Sequence, residues 1–395
     1  MTTALSTVLL VAGFLLLTMI LLLALEVIAA SMAGEEPLAP AEISPHAPRI
    51  AVLVPAHDEG RRIVPLLSDL RVSCPASARV LVVADNCTDD TAAIARAEGA
   101  EVIERHDPGQ RGKGFALAFG VAHLALTPPD IVVIIDADCR VRPGTVAMLA
   151  TICAGTNRPV QSVDSMIGED PTSASQRVAE FAWHLNTYVR SLGLARCGWP
   201  VRLMGTGMAI PWTALKEIDL ATGNVVEDLS LSLDLTELGY PPLFCRSAVV
   251  ESAFPSSVQG MRTQRQRWEL GALRTAMQEG PIRLWRAARR RDLGLFVLSL
   301  DLMIPPLVLL VSATAALACA GLVLGLFWAR WWSAIVPAAG MALLAAILVL
   351  AYFRFGRGTL RLRDLGGLLS FALDKVAIYR TGFGSIQTWV RTDRS

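Results

Sequence analysis

The chain reads as an α/β protein. A mostly parallel sheet flanked by helices is expected, with one N-terminal and two C-terminal transmembrane helices and interfacial helices beside them. Three observations predict this. Val- and Ile-rich runs at 50–54, 79–84 and 131–135 alternate with stretches of helical period, the pattern of parallel strands covered on both faces. Apolar runs occupy 4–31, 293–328 and 333–353. Of the 395 residues, 53% are hydrophobic and only 18% charged, where soluble domains average about a quarter. The formal net charge of +1, from 36 basic and 35 acidic residues, excludes a strongly basic nucleic-acid binder.

Residues 4–31 carry one charge, Glu26. At about 1.5 Å per residue they exceed the roughly 30 Å hydrocarbon core, so a membrane span with room to tilt is expected. A signal peptide would need a basic start and a shorter apolar stretch, and no Lys or Arg precedes Arg49. Residues 32–48, with the Pro-containing AGEEPLAPAEISPHAP, read as a linker.

Residues 49–259 form the soluble part. Strands are expected at 49–58, 79–84, 101–104 and 131–135, with helices over 61–71, from Thr88–Asp90 onward, over 114–126 and over 175–192. LSLSLDLTELG after Asp228 alternates but suits a helix equally well. Seven cysteines, an odd number without CxxC, fit a reduced cytosolic face and neither a zinc site nor a disulfide frame.

Residues 260–292 are Arg-rich with interleaved Met261, Trp268, Met277 and Trp285, an amphipathic interfacial helix. In 293–353 two spans are expected. Pro305-Pro306 divides a lead-in near 293–303 from a span near 304–327, and 333–353 is the next. The tail, 354–395, is basic, with a helical apolar stripe over 365–379. Arg283, Arg286, Arg289, Arg290 and Arg291 precede this hairpin and Arg354, Arg357, Arg361 and Arg363 follow it, while its turn holds only Arg330. The positive-inside rule puts both flanks in the cytoplasm.

Polar residues gather where strands end: Pro55, His57, Asp58 and Glu59 after the first, Asp85 and Asn86 after the second, Asp136 and Asp138 after the strand at 131–135. One such group is most simply a turn or cap. Three together line one crevice at the carboxyl ends of the strands, where such sheets bind ligands. Two carboxylates one residue apart offer hard oxygen ligands suited to Mg²⁺ or Mn²⁺ on a diphosphate. Lys113, flanked by glycines at a helix start, is placed to meet an anion; a solvated loop lysine is the plainer reading. Glu227-Asp228 likewise fits a helix-capping pair, and Trp268 an interfacial anchor.

VPAHDEG, ADNCTDDT, GKGFAL, DADC, VVED and QRQRW, in this order over about 49–268, resemble the family 2 glycosyltransferases of GT-A fold. The likeness is to the membrane-bound branch with cellulose, chitin and hyaluronan synthases, ceramide glucosyltransferases and bacterial exopolysaccharide transferases. The resemblance implies that Pro55, Asp58, Glu59, Asp85, Asn86 and Lys113 hold the nucleotide, with Asp85 on a base that is uracil in most relatives. It implies that Asp136 and Asp138 form the DxD, Asp138 being the direct metal ligand, and that Gly205, Thr206 and Gly207 underlie the donor sugar and acceptor. Glu227-Asp228 matches the ED motif, whose Asp is the catalytic base. Gln264, Arg267 and Trp268 match QxxRW, at the membrane surface over the diphosphate and the acceptor's end.

The expectation is an inverting, metal-dependent hexosyl- or N-acetylhexosaminyltransferase in a bacterial inner membrane. It would move a sugar from a cytosolic nucleotide sugar, UDP-linked by resemblance, to a lipid-linked or membrane-embedded acceptor. A processive polysaccharide synthase is the alternative. A transporter or nucleotide-binding scaffold is remote, because paired polar groups within the spans are not expected from the sequence. A nucleotidyltransferase would need neither QxxRW nor spans.

Overall fold

The structure is a computed structural model that describes residues 2–34, 48–168, 170, 172–224, 226–255, 258–364 and 375. Most of the 32–48 linker, and the 365–379 stripe apart from Lys375, lie outside the described residues. In chain order the elements are α1 (Thr2–Ser31), β1 (Ile50–Ala56), α2 (Ile63–Ser73), β2 (Arg79–Asp85), α3 (Thr91–Ala97), β3 (Glu101–Arg105), α4 (Lys113–Leu124), β4 (Ile131–Ile134), β5 (Arg140–Val141), α5 (Thr145–Thr156) and β6 (Val160–Ile167). There follow α6 (Ala174–His184), a π-helical turn (Leu185–Val189), α7 (Arg190–Arg196), β7 (Met208–Pro211), α8 (Trp212–Leu215), α9 (Glu227–Glu237), β8 (Leu243–Ala253) and α10 (Val258–Arg290). The chain continues through α11 (Leu293–Leu302), α12 (Leu307–Trp328) and α13 (Trp332–Ala351).

One eight-stranded sheet has the order β3-β2-β1-β4-β7-β6-β8-β5. The first four strands are mutually parallel, β1 pairing with both β2 and β4 and β2 with β3. Their residues are apolar without alternation because both faces are covered. Val52, Val54, Val82 and Val133 face a cluster with α2 and α5, while Ala51, Leu53, Leu81, Val83 and Val132 face one with α4, α8 and α9. Burying each Leu or Ile side chain contributes about 1.5–3 kcal/mol. Beyond β4 the sheet is mixed: β7 runs antiparallel to β4 and β6, and β6 parallel to β8. This keeps the carboxyl end of β6 on the same side as those of β1, β2 and β4. The LSLSLD segment is helical, its Leu231 and Leu235 packed on one cluster and Leu229 and Leu233 on another.

α1, α12 and α13 are long and apolar enough to cross a membrane. The Pro305-Pro306 break falls as expected, with α11 ending at Leu302 and α12 beginning after Pro306. α10 leaves Met277, Ile282 and Trp285 exposed, with Arg289 over the Trp285 ring.

Charged groups on the apolar helices are paired. Arg190 of α7 donates to Glu26 of α1 at 3.0 Å and also contacts Asp301 of α11, while Arg202 meets Asp301 at 2.8 Å. All four are buried. The pairs join the membrane-type helices to the sheet domain, not one span to another, so they act as a clamp. Beside them Gly193 lets α7 approach α1 closely: a Cβ there would stand 2.1 Å from the Glu26 carbonyl oxygen.

Candidate active site

Two connected hollows lie at the carboxyl ends of the strands. The smaller, of about 150 Å³, is bounded by Pro55, His57, Glu59, Asp85, Asn86, Arg111, Lys113, Asp136 and Asp138. The larger, of about 370 Å³, shares Lys113, Asp136 and Asp138 with it and continues past Asp164, Gly205, Thr206, Glu227, Asp228, Gln264, Arg267 and Trp268. Its far wall is apolar and comes from α1, α11 and α12 and their junction: Leu23, Leu302, Ile304, Pro305, Pro306, Leu307 and Leu310.

In the smaller hollow the loops are fixed by their own polar atoms. Asp58 and Asn86 adopt φ of 49° and 52°, a left-handed conformation that Asp and Asn tolerate. Asp58 accepts from the Thr88 amide at 2.6 Å, so its carboxylate closes the loop instead of bordering the hollow. Asn86 accepts the Asp107 amide at 2.8 Å. Asp85 is buried and held by Arg105 Nη1 at 2.7 Å, a partner not singled out in the sequence. The helix cap expected over Thr88–Asp90 falls on Asp90, whose side chain makes no capping hydrogen bond, while Asp89 accepts from the Thr91 amide at 3.0 Å.

Lys113 stands at the junction. Its ammonium contacts Asp136, donates to the Gly205 carbonyl at 2.7 Å, and lies 3.9 Å from Glu227. Burial works against that charge, but Asp136 and Glu227 outweigh it and hold the lysine above its ordinary range. Thr206 accepts from the Asp136 amide at 3.1 Å. Gly205 has φ 81°, and a Cβ on it would sit 3.3 Å from both Asp228 Oδ2 and Lys113 Nζ. Gly207 faces Ser162, whose hydroxyl would be 1.9 Å from a Cβ there. The Gly205–Gly207 segment therefore underlies Lys113, Asp136 and Asp228 together.

Glu227 and Asp228 open α9, whose N-terminus favours anions. Burial nevertheless pushes Asp228 up to about 6 and Glu227 up to about 8, with Lys113 pulling both back. A carboxyl near 6, as at Asp228, is largely ionised at neutral pH and still basic enough to take a hydroxyl proton, whereas one near 8, as at Glu227, is mostly protonated. Gln264 is buried on α10, and the Trp268 ring packs on Trp183 with centroids 5.2 Å apart. The structure thus brings the sequence-picked Lys113, Asp136, Asp138, Gly205, Thr206, Glu227, Asp228, Gln264, Arg267 and Trp268 to one cavity.

Several lining residues were not picked from sequence. Asn186 and Arg190, in or beside the π-helical turn, border the cavity, as does Arg202. Lys375 borders it too, ion-paired with Glu269 at 2.5 Å. Asp164 on β6 is another, and its only outward signal was an acidic residue within VQSVDSMI. Burial, then the like charges of Asp136 and Asp228, push it well above the carboxylate range. Among the described residues, the acidic and thiol atoms that converge within 4.8 Å are those of Asp58, Cys87 and Asp89. Asp58 and Asp89 are already engaged by Thr88 and Thr91.

With this geometry in view, the comparisons with known proteins are consistent. Residues 48–271 match the model of the glycosyltransferase-like family 2, and the chain belongs to that family; it is a glycosyltransferase. It is 30% identical to uncharacterized glycosyltransferases of Mycobacterium tuberculosis and Mycobacterium bovis, over 44% of this chain and 85% of theirs. The fold resembles a mannosyltransferase of Pyrobaculum calidifontis in complex with GDP-Man and Mn²⁺. The TM-score is 0.55 at 18% identity, covering 90% of this chain and all of that one.

Proposed function

We propose that the protein is an inverting transferase that moves a sugar from a cytosolic nucleotide sugar to a lipid-linked acceptor held at the membrane. The observation that carries this is the larger cavity, which runs without interruption from Lys113, Asp138 and Asp228 to the apolar wall of α1, α11 and α12. A water-soluble acceptor would need no such wall. The nucleotide fits the smaller hollow, with Asp85, Asn86 and Glu59 toward the nucleoside and Lys113 toward the diphosphate. UDP is the donor nucleotide suggested by the resemblance of the Asp85 motif.

The donor set suits a divalent ion. Asp136, Asp138 and Asp228 face the cavity beside Lys113, a set of hard oxygen donors where a diphosphate must also sit. Asp138 and Asp136 would hold Mg²⁺ or Mn²⁺, and the ion when bound neutralises the leaving diphosphate. Lys113 adds a fixed cation at the same place. Asp228 takes the proton from the acceptor hydroxyl as it attacks, its basicity raised by burial and by the charge of Asp136. Trp268 and Gln264 border the acceptor path, and Arg267 lies near the diphosphate. Placement is in a bacterial inner membrane, with the sheet domain on the cytoplasmic side, from the Arg distribution.

The test is nucleoside-diphosphate release from a panel of nucleotide sugars, with membrane extract as acceptor, with and without Mg²⁺ or Mn²⁺. No release from folded protein under any condition overturns the donor assignment. The same incubation scores product length: a ladder of long polymers would replace single transfer with processive synthesis.

A further inference from the structure

Asp85 closes β2 beside the smaller hollow and is buried to more than nine-tenths. Its main chain is fixed by pairing with β3, and its carbonyl accepts from His57 Nδ1 at 2.7 Å. Among the described residues, the bonds to its carboxylate end on one oxygen. Arg105 Nη1 donates to Oδ1 at 2.7 Å and Asn86 Nδ2 at 3.1 Å. Oδ2 is the oxygen left for a ligand in the hollow. A carboxylate accepts and does not donate, so that ligand must present an N–H or O–H. We infer that Arg105 is a positioning residue that fixes Asp85 as an acceptor and so restricts the donor to nucleotides whose base carries a ring N–H. This rests on the nucleotide-sugar reading above.

Arg105 borders neither hollow, so its effect on a ligand passes through Asp85. The guanidinium is itself clamped. Nη1 also donates to the Gln110 carbonyl at 2.8 Å, Nη2 reaches Asp107 Oδ2 at 3.3 Å, and the group lies 5.6 Å from the centre of the Phe115 ring. Asn86 is held as well, since its Oδ1 accepts the Asp107 amide at 2.8 Å. Two donors on fixed side chains therefore set the plane of the Asp85 carboxylate. Uracil and guanine carry a ring N–H on their pairing edge. Cytosine and adenine present a bare ring nitrogen there, whose lone pair would face the carboxylate oxygen. Their amino group lies in a different direction, and to reach it the carboxylate would have to swing, which Arg105 prevents.

The experiment uses the full chain in nanodiscs with Mg²⁺ and reads affinity by calorimetry, so it needs no acceptor. The probes are two matched pairs, UDP with CDP and GDP with ADP, and pyrophosphate as a ligand without a base. Wild type is expected to bind the keto member of the pair it accepts at least about tenfold more tightly than the amino member. Arg105→Met should shrink that ratio below about threefold. Pyrophosphate affinity should meanwhile stay within about threefold, because it has no base to read. Asp85→Asn should invert the ratio. Arg105 and Asn86 would hold the amide oxygen, which turns the NH₂ to the hollow, where it meets a bare ring nitrogen. Adding Arg105→Met to Asp85→Asn should cancel the inversion. A merely structural arginine would weaken both bases and pyrophosphate by one factor in Arg105→Met, and that outcome overturns the inference. An Asp85→Asn ratio that fails to invert overturns it too. Should Arg105→Met not fold, Asp85→Asn decides alone. Wild type that binds neither nucleotide nor pyrophosphate overturns the nucleotide-sugar reading itself, whereas binding without preference within a pair overturns only the Arg105 inference.

Discussion

Lys113 donates a 2.7 Å hydrogen bond to the carbonyl oxygen of Gly205, which ties the nucleotide-side helix α4 to the loop beneath Asp228. Ala at 205 would have to hold φ 81° and place its Cβ 3.3 Å from both Lys113 Nζ and Asp228 Oδ2. The left-handed backbone alone costs about 1–2 kcal/mol. Gly205→Ala is expected to cut kcat/KM for nucleoside-diphosphate release by about tenfold or more, through displacement of both charged groups. Thermal unfolding should shift by only a few degrees.

Asp228→Asn removes the proposed base and keeps the shape. kcat for transfer should fall about 10²- to 10⁴-fold. Donor affinity, measured by calorimetry, should stay within a few-fold, since the proposed nucleotide contacts lie in the smaller hollow. A loss confined to donor affinity would contradict the base role.

As the proposed base, Asp228 must be ionised to act. With its pKa pushed up to about 6, it is neutral below that value, so kcat/KM should rise with pH through about 6 and then level off. Lys113 lowers the Asp228 pKa, so Lys113→Met should move this acid limb to higher pH, whatever it does to the absolute rate. A pH–rate series on both proteins checks the direction.

Metal removal should abolish transfer. Chelation followed by add-back of Mg²⁺ or Mn²⁺ should restore activity in wild type. Asp138→Asn should need at least about tenfold more metal for half-maximal rate. A chelator-insensitive rate would remove the ion from the reaction.

The buried clamp of Glu26, Arg190, Arg202 and Asp301 predicts a stability effect without chemistry. Arg190→Met strands the carboxylate of Glu26 and leaves Asp301 with Arg202 alone, and should cost about 3–5 kcal/mol in detergent-solubilised unfolding. Adding Glu26→Gln to that chain should recover part of the loss, because one stranded charge is gone.

How much was legible in the sequence followed from burial pattern and from distance along the chain. β1, β2 and β4 are covered on both faces and show as unbroken Val and Ile runs, and the acidic groups at their ends follow directly. β6 did not show, because Gln161, Ser162 and Asp164 are polar yet buried, which erases strand periodicity. Gln161 spends its amide on the carbonyls of Ser162 and Thr206, bonds no local pattern encodes. Arg190 reads locally as an ordinary helix charge, since its partner Glu26 is 164 positions away. Arg105, the partner of Asp85, was hidden in the same way at the end of a short strand. The site residues that were found came as a set in a fixed order; those that were missed came from the later strands and from long-range pairs.

The backbone of α7 touches that of α1 where Gly193 meets the Glu26 carbonyl, and Arg190 fastens the two helices one turn away. For a helix that crosses a bilayer, such a joint leaves no play along the membrane normal. The distance from the lipid headgroups to Asp228 is then a property of the protein, set like the height of a fixed jig. On the proposed reading, a lipid-linked acceptor would be sorted by how far its reactive hydroxyl stands above its own anchor. Headgroups too short to reach, or too long to stay in register, would fail before any chemical contact distinguishes them.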